Sequence, residues 1–280
     1  ERFTGQFSVG LGYNQVTKVS GFISLRKGNF LGTGDIASIS ISYGSNIKDN
    51  ALSYTKKWFL NLPMDLSGSV YDRRIEYTTY TVERTGLDLI ASREISEFWR
   101  VSGGMSFQRV KYSNISPNAS STVRQEAGER QSRKFIFGVS RDTRDNYLFP
   151  TKGSLTEIGY SVAVPVLEGT ERFNKINLSH QTFLKDTFFD TGLILAFKGV
   201  LGIVEPYGGK TVPLDERFFV GGDFTIRGYK YGYAGPLDPN TLDPIGAKRQ
   251  IILSAEANYP LYKNILYGAL FYDAGLGFNQ

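Results

Sequence analysis

The sequence predicts an all-β chain, specifically a transmembrane antiparallel β-barrel. Three observations carry this. Apolar and polar residues alternate with period two along most of the 280 residues, which marks strands with two unlike faces. The alternating segments run about 10 to 14 residues, beyond the usual 5 to 6 of globular strands and sufficient for a tilted membrane-spanning strand. The second face is written in Ser, Gly, Asn, Gln and Asp. A soluble barrel would bury apolar side chains there, whereas a barrel in lipid puts them outside and keeps a polar lumen.

Thirteen segments follow in order: 4–14, 19–29, 34–45, 50–60, 64–75, 83–94, 99–113, 134–143, 153–165, 172–185, 190–204, 250–261 and 266–278. In the first, Phe7, Val9, Leu11 and Tyr13 alternate with Ser8, Gly10 and Gly12. In the third, Ala37, Ile39, Ile41 and Tyr43 alternate with Ser38, Ser40 and Ser42. In the ninth, Ile158, Tyr160, Val162 and Val164 are separated by Gly159, Ser161 and Ala163. Helical spacing is nowhere sustained. Closing such a sheet pairs every backbone group, as a membrane requires. The mean hydropathy of -0.23 suits a chain that is apolar on one face only.

The connections alternate in character. Tight ones fall at Gly28–Gly34, Asn61–Met64, Tyr147–Gly153, Lys185–Asp190 and Leu261–Ile265; longer ones at 114–133 and 205–249. Phe30, Phe149, Phe188, Phe189, Tyr259 and Tyr262 cluster near the tight turns, as an aromatic girdle would. A large soluble antiparallel sandwich is the competing fold. An odd strand count is unusual for a bacterial barrel. The expectation is therefore one barrel domain over 1–280 with about thirteen strands present and an even final count, about three strands short if that count is sixteen, with any upstream periplasmic domain and the last strands outside this sequence.

Composition excludes several activities. The chain has no Cys and a single His, His180. That removes disulfide scaffolds, thiol nucleophiles and conventional zinc sites. Lys plus Arg number 32 against 27 acids, a formal +5 that is not gathered into one stripe, so nucleic acid is not an expected partner. His180 lies in phase with Ile176, Leu178 and Leu184, and no GxSxG accompanies it. No enzyme, metal or cofactor is expected. Asp142, Arg144 and Asp145 read as lumen or turn charges.

The least barrel-like segment is 214–236, LDERFFVGGDFTIRGYKYGYAGP. A long loop this aromatic is functional rather than disordered. Gly221, Gly222 and Gly228 permit positive φ and close backbone approach. Arg227 sits between Ile226 and Gly228; from the residues alone it is either a latch or one solvated cation among many.

Here the chain resembles the BamA superfamily of outer-membrane assembly barrels. FFVGG (218–222) with IRGY (226–229) is similar to the family's sixth-loop signature. ERFTGQFSVGLGY (1–13) and GNFLGTG (28–34) resemble its first hairpin, TRDNYLFPTKGS (143–154) another family turn, and ALFYDAG (269–275) its thirteenth strand. The motifs occur in family order along nearly the whole chain. The RG core alone is shared with TamA-like translocation barrels and two-partner secretion transporters.

The resemblance implies a sixteen-stranded barrel whose loop, here 205–249, folds into the lumen. It implies that Arg227, within Ile226–Tyr229, meets Glu256 and Asp273. Alternation agrees, placing Ser254, Glu256, Asn258 and Asp273 on the lumen face. The implied function is insertion of other barrel proteins into a bacterial outer membrane through the first-strand edge, Phe7, Ser8, Val9, Gly10, Leu11 and Gly12. The implied partners are the bilayer, unfolded barrel proteins and accessory assembly lipoproteins. Gly5, Gly10 and Gly12 either weaken a seam that opens or relieve crowding inside the barrel. A two-partner or TamA-like secretion pore and a passive porin remain the alternatives.

Overall fold

The computed structural model describes residues 4–186, 191–262 and 266–279. Thirteen strands form one antiparallel sheet, each hydrogen-bonded to the next in sequence. They are β1 (Gly5–Asn14), β2 (Lys18–Phe30), β3 (Asp35–Gly44), β4 (Ile47–Lys56), β5 (Asp65–Glu76), β6 (Thr81–Glu94), β7 (Trp99–Ser113), β8 (Gly128–Asp142), β9 (Gly153–Ala163), β10 (Phe173–Lys185), β11 (Ile194–Pro206), β12 (Arg249–Tyr262) and β13 (Leu266–Phe278). One short helix, α1 (Ser121–Gln125), lies between β7 and β8. It is capped by the Ser120 hydroxyl accepting from Val123 N–H at 3.2 Å. β1 and β13 are the two ends of the sheet, each paired on one side among the described residues.

The alternation becomes two faces. On the outer face of β1, Phe7 is 67%, Val9 69% and Leu11 86% exposed. Leu270 and Tyr272 on β13 are equally open. Such continuous exposure of large apolar groups is a lipid-facing surface. The inner face is polar, with cross-strand contacts such as Ser38 to Ser53 at 2.6 Å and Ser106 Oγ to Asp88 at 2.5 Å.

The buried apolar side chains lie where the 207–248 loop packs on the inner face. Val82, Val110, Tyr112, Ala119, Val123 and Leu214 form one cluster. Phe173, Val204, Val212, Phe218 and neighbours form a second, and Val220, Ile226 and Ile252 a third. The same loop touches the β1–β2 turn through Gln15 and strands β12 and β13 through Arg227. A loop that reaches both ends of the sheet requires the sheet to curl around it. The fold is a transmembrane β-barrel wall.

The structure departs from the sequence expectation in detail. β8 begins at Gly128, not near 134, because Arg130, Ser132 and Lys134 are inner-face polar residues. β4 ends at Lys56, since Trp58 and Leu60 turn left-handed at φ 51° and 57°. The rim carrying 114–127 and 207–248 also carries the tight turns 15–17 and 45–46, so connection length separates the rims only in part. Phe30 packs edge-on to Tyr54 at 6.3 Å. Phe188 and Phe189, Asp190 at the start of the eleventh segment, and the centres of the turns at 185–190 and 261–265 lie outside the described residues, as does the start of the 1–13 motif.

Candidate functional site

The site is built where the loop tip meets β12 and β13. Cross-strand register pairs Ser254 with Asp273 and Glu256 with Phe271, so all four side chains share the inner face. Arg227 comes down on them. Its backbone N–H and Nε donate to Asp273 Oδ2 at 3.0 and 2.6 Å, and Nη2 donates to Asp273 Oδ1 at 2.6 Å. Nη1 donates to Glu256 Oε1 at 2.5 Å. The Phe271 ring centroid lies 3.7 Å from the guanidinium carbon. This is a planar fork grasping one carboxylate with two nitrogens and a second with a third, over an aromatic face, geometry that Lys cannot reproduce. The Asp273 side chain is 2% exposed and Arg227 31%. Asp273 first, and Glu256 after it, hold the guanidinium further above its already high value, against the opposing effect of burial.

The loop's conformation delivers that fork. Gly221, Gly222 and Gly228 sit at φ 110°, 101° and 88°. At Gly221 a Cβ would fall 2.6 Å from the Lys230 carbonyl, so both the angle and the close approach demand glycine. Gly221 N–H donates to Thr225 Oγ1 at 2.8 Å and Gly222 N–H to the Ile226 carbonyl at 3.2 Å, closing a compact turn. Ile226, 3% exposed, plugs this turn against Val220 and Ile252. Tyr229 stays half exposed and offers its carbonyl to Gln15.

The first-strand residues lie elsewhere, at the sheet's end. Phe7, Val9 and Leu11 face outward; Ser8 pairs with Ser24 and Gly10 with Phe22 on the inner face. A Cβ at Gly10 would lie 2.5 Å from the ring of the partly exposed Phe22, so a side chain there needs that ring to turn aside. At Gly12 nothing lies within 4 Å, and crowding does not explain it. Asp142 and Arg144 pair with each other, and Asp145 is tied into its own turn by Thr151.

Sequence reasoning missed three contributors. Phe271 is two residues from Asp273 and therefore on its face, a signal that alternation did contain. Gln15 clamps the tip: its side chain donates to Asp223 Oδ1 at 3.1 Å and accepts from Tyr231 N–H at 2.9 Å. A turn residue with a long-range partner carries no local signature. The third is the acid pair Asp215–Glu216, packed on β6, β8 and β10.

Fold and site together define a transmembrane β-barrel with a loop latched to its inner wall. Residues 29–280 match the Omp85 superfamily domain, and the chain belongs to that superfamily. It is 26% identical over 288 residues to the outer membrane protein assembly factor BamA of Neisseria meningitidis serogroup B, covering 93% of this chain and 35% of that protein. It is 25% identical over 237 residues to the human sorting and assembly machinery component 50 homolog, covering 84% and 49%. Among solved structures, BamA from Haemophilus ducreyi lacking POTRA domains 1–3 superposes with a TM-score of 0.86 at 22% identity, covering 100% of this chain and 58% of that one. CdiB from Acinetobacter baumannii gives a TM-score of 0.57 at 15% identity, covering 98% and 55%. The chain thus spans between a third and a half of the length of these curated relatives.

Proposed function

We propose that this chain is the barrel of an outer-membrane protein assembly factor, one that inserts other β-barrel proteins through its first-strand edge. The carrying observation is the match of residues 29–280 to the Omp85 superfamily domain, on a chain whose first strand, β1, keeps an unbroken ten-residue register with β2 from Gly5 to Asn14. An incoming strand can add to such an edge by backbone hydrogen bonds, with side-chain alternation setting the register. The family membership and the BamA relatives support the same role. The barrel sits in a bacterial outer membrane, its clients are unfolded barrel proteins, and accessory assembly lipoproteins act with it.

No chemistry is required of the residues. Strand exchange needs neither a nucleophile nor a metal, and His180 is engaged on the outer face by Thr156 Oγ1 at 2.8 Å. Arg227 and its carboxylates hold a loop. A two-partner or TamA-like secretion pore would share the fold; the CdiB likeness extends to the fold alone. A porin would need a constricting loop with facing charge ladders, and here the tip's Arg227 is paired to acids of the wall.

The test is reconstitution of the full-length protein in lipid vesicles, following folding of an urea-unfolded outer-membrane barrel protein by its gel-mobility shift. Folding faster than in empty vesicles is expected. Equal rates in both, with a secreted passenger transported instead, would replace this reading with the secretion pore.

A further inference from the structure

We propose that Asp215 and Glu216 are positioning residues that bolt the root of the long loop to β6, β8 and β10, and that the tip carrying Arg227 pivots about this fixed root. The proposal does not depend on the assembly role. It starts from the part of LDERFFVGG that the Arg227 contacts leave unused.

Leu214–Glu216 form a single 3₁₀ turn. Neighbouring side chains in such a turn diverge by about 120°, so the two acids address different strands. Asp215 pairs with Arg130 of β8 and, at 3.4 Å, with Arg84 of β6. Glu216 pairs with Lys134 of β8 and, at 3.1 Å, with Lys175 of β10. Arg130 is itself fixed by Glu126 at 2.5 Å and Glu171 at 2.6 Å, and Glu126 accepts from Leu214 N–H at 3.0 Å. Phe218 completes the seat, its ring centroid 5.2 Å from Lys175 Nζ. The side chains of Asp215 and Glu216 are 5% and 8% exposed.

The root and the tip are opposite in sign. At the tip a loop cation enters strand acids; at the root loop acids enter strand cations. A loop displaced so that either end met the other's partners would face like charges, so the pattern admits one docking. The two anchors share no residue, and groups without shared partners contribute independently. Arg227 can therefore leave Asp273 and Glu256 while the root stays seated.

The test is hydrogen exchange on the full-length protein in lipid. Root peptides report the Phe218 N–H bonded to Ala247 and the Ala247 N–H bonded to Phe218, both at 2.8 Å. Tip peptides report Gly222 and Tyr229. Glu216→Lys should speed root exchange about tenfold or more by local opening and leave the tip unchanged. Arg227→Ala should do the reverse. The double variant Glu216→Lys with Lys134→Glu, which conserves the cluster's charges, should restore root protection. Retained heat-modifiable mobility on gels shows that each variant has folded. Should Glu216→Lys fail to fold, Glu216→Gln is read instead, with the same expectation for the root. Unchanged root exchange, equal loosening of root and tip, or no rescue by the charge swap would each overturn the proposal.

Discussion

At Arg227 one side chain satisfies two carboxylates and covers an aromatic ring, and Asp273 beneath it is almost sealed from solvent. Removing the guanidinium strands a buried charge. Arg227→Ala is expected to cost about 3 kcal/mol, the low end for breaking a buried pair because the arginine is partly exposed. Urea unfolding of the intact barrel measures it, and Arg227→Lys should recover only part, since an ammonium cannot span both carboxylates. Two glycines, one in the loop and one in β1, divide sharply. Gly221→Ala meets both a positive φ and the Lys230 carbonyl, so a loss of about 1–3 kcal/mol is expected. Gly12→Ala enters open space and should change stability by less than about 0.5 kcal/mol. Thermal unfolding of the pair distinguishes a glycine kept for shape from one that is not.

Among the elements, the long loop is anchored at both its root and its tip, and the root has a defined pH dependence. Burial pushes the Glu216 carboxyl up, but Lys134 and Lys175 outweigh it and hold it down to about 2 from an ordinary 4.5. A group whose folded value is lowered contributes its stability in full above its unfolded value and loses it as pH falls toward the folded one. Root protection should therefore be complete above about pH 4.5 and decline toward pH 2; in Glu216→Gln this particular decline should vanish. Exchange profiles at several pH values check it. How legible these elements were follows from their physics. Strands such as β1 and β3 were readable because lipid on one side and lumen on the other impose alternation. The start of β8 was not, because its inner residues serve the loop and read as a polar connection. Likewise Glu256 and Asp273 were placed by phase and by family resemblance, whereas Gln15 and the lysines around Glu216 join residues far apart in sequence, which no local pattern records.

For the whole molecule, one continuous sheet curls around a loop that touches its first hairpin and its last two strands. The tip thus bridges the β1–β2 turn and strand β13, and β1 presents outward aromatics and aliphatics in an alternating row. The central claim is that β1 receives a client strand. The absence of native cysteine makes the direct test clean: a single Cys at Ser8 in the full-length protein, and a stalled barrel substrate carrying Cys at successive positions of its last strand. Disulfide capture confined to one register is expected. Capture only from sites deep in the lumen, by a secreted passenger, or no capture at all alongside steady open conductance, would contradict it.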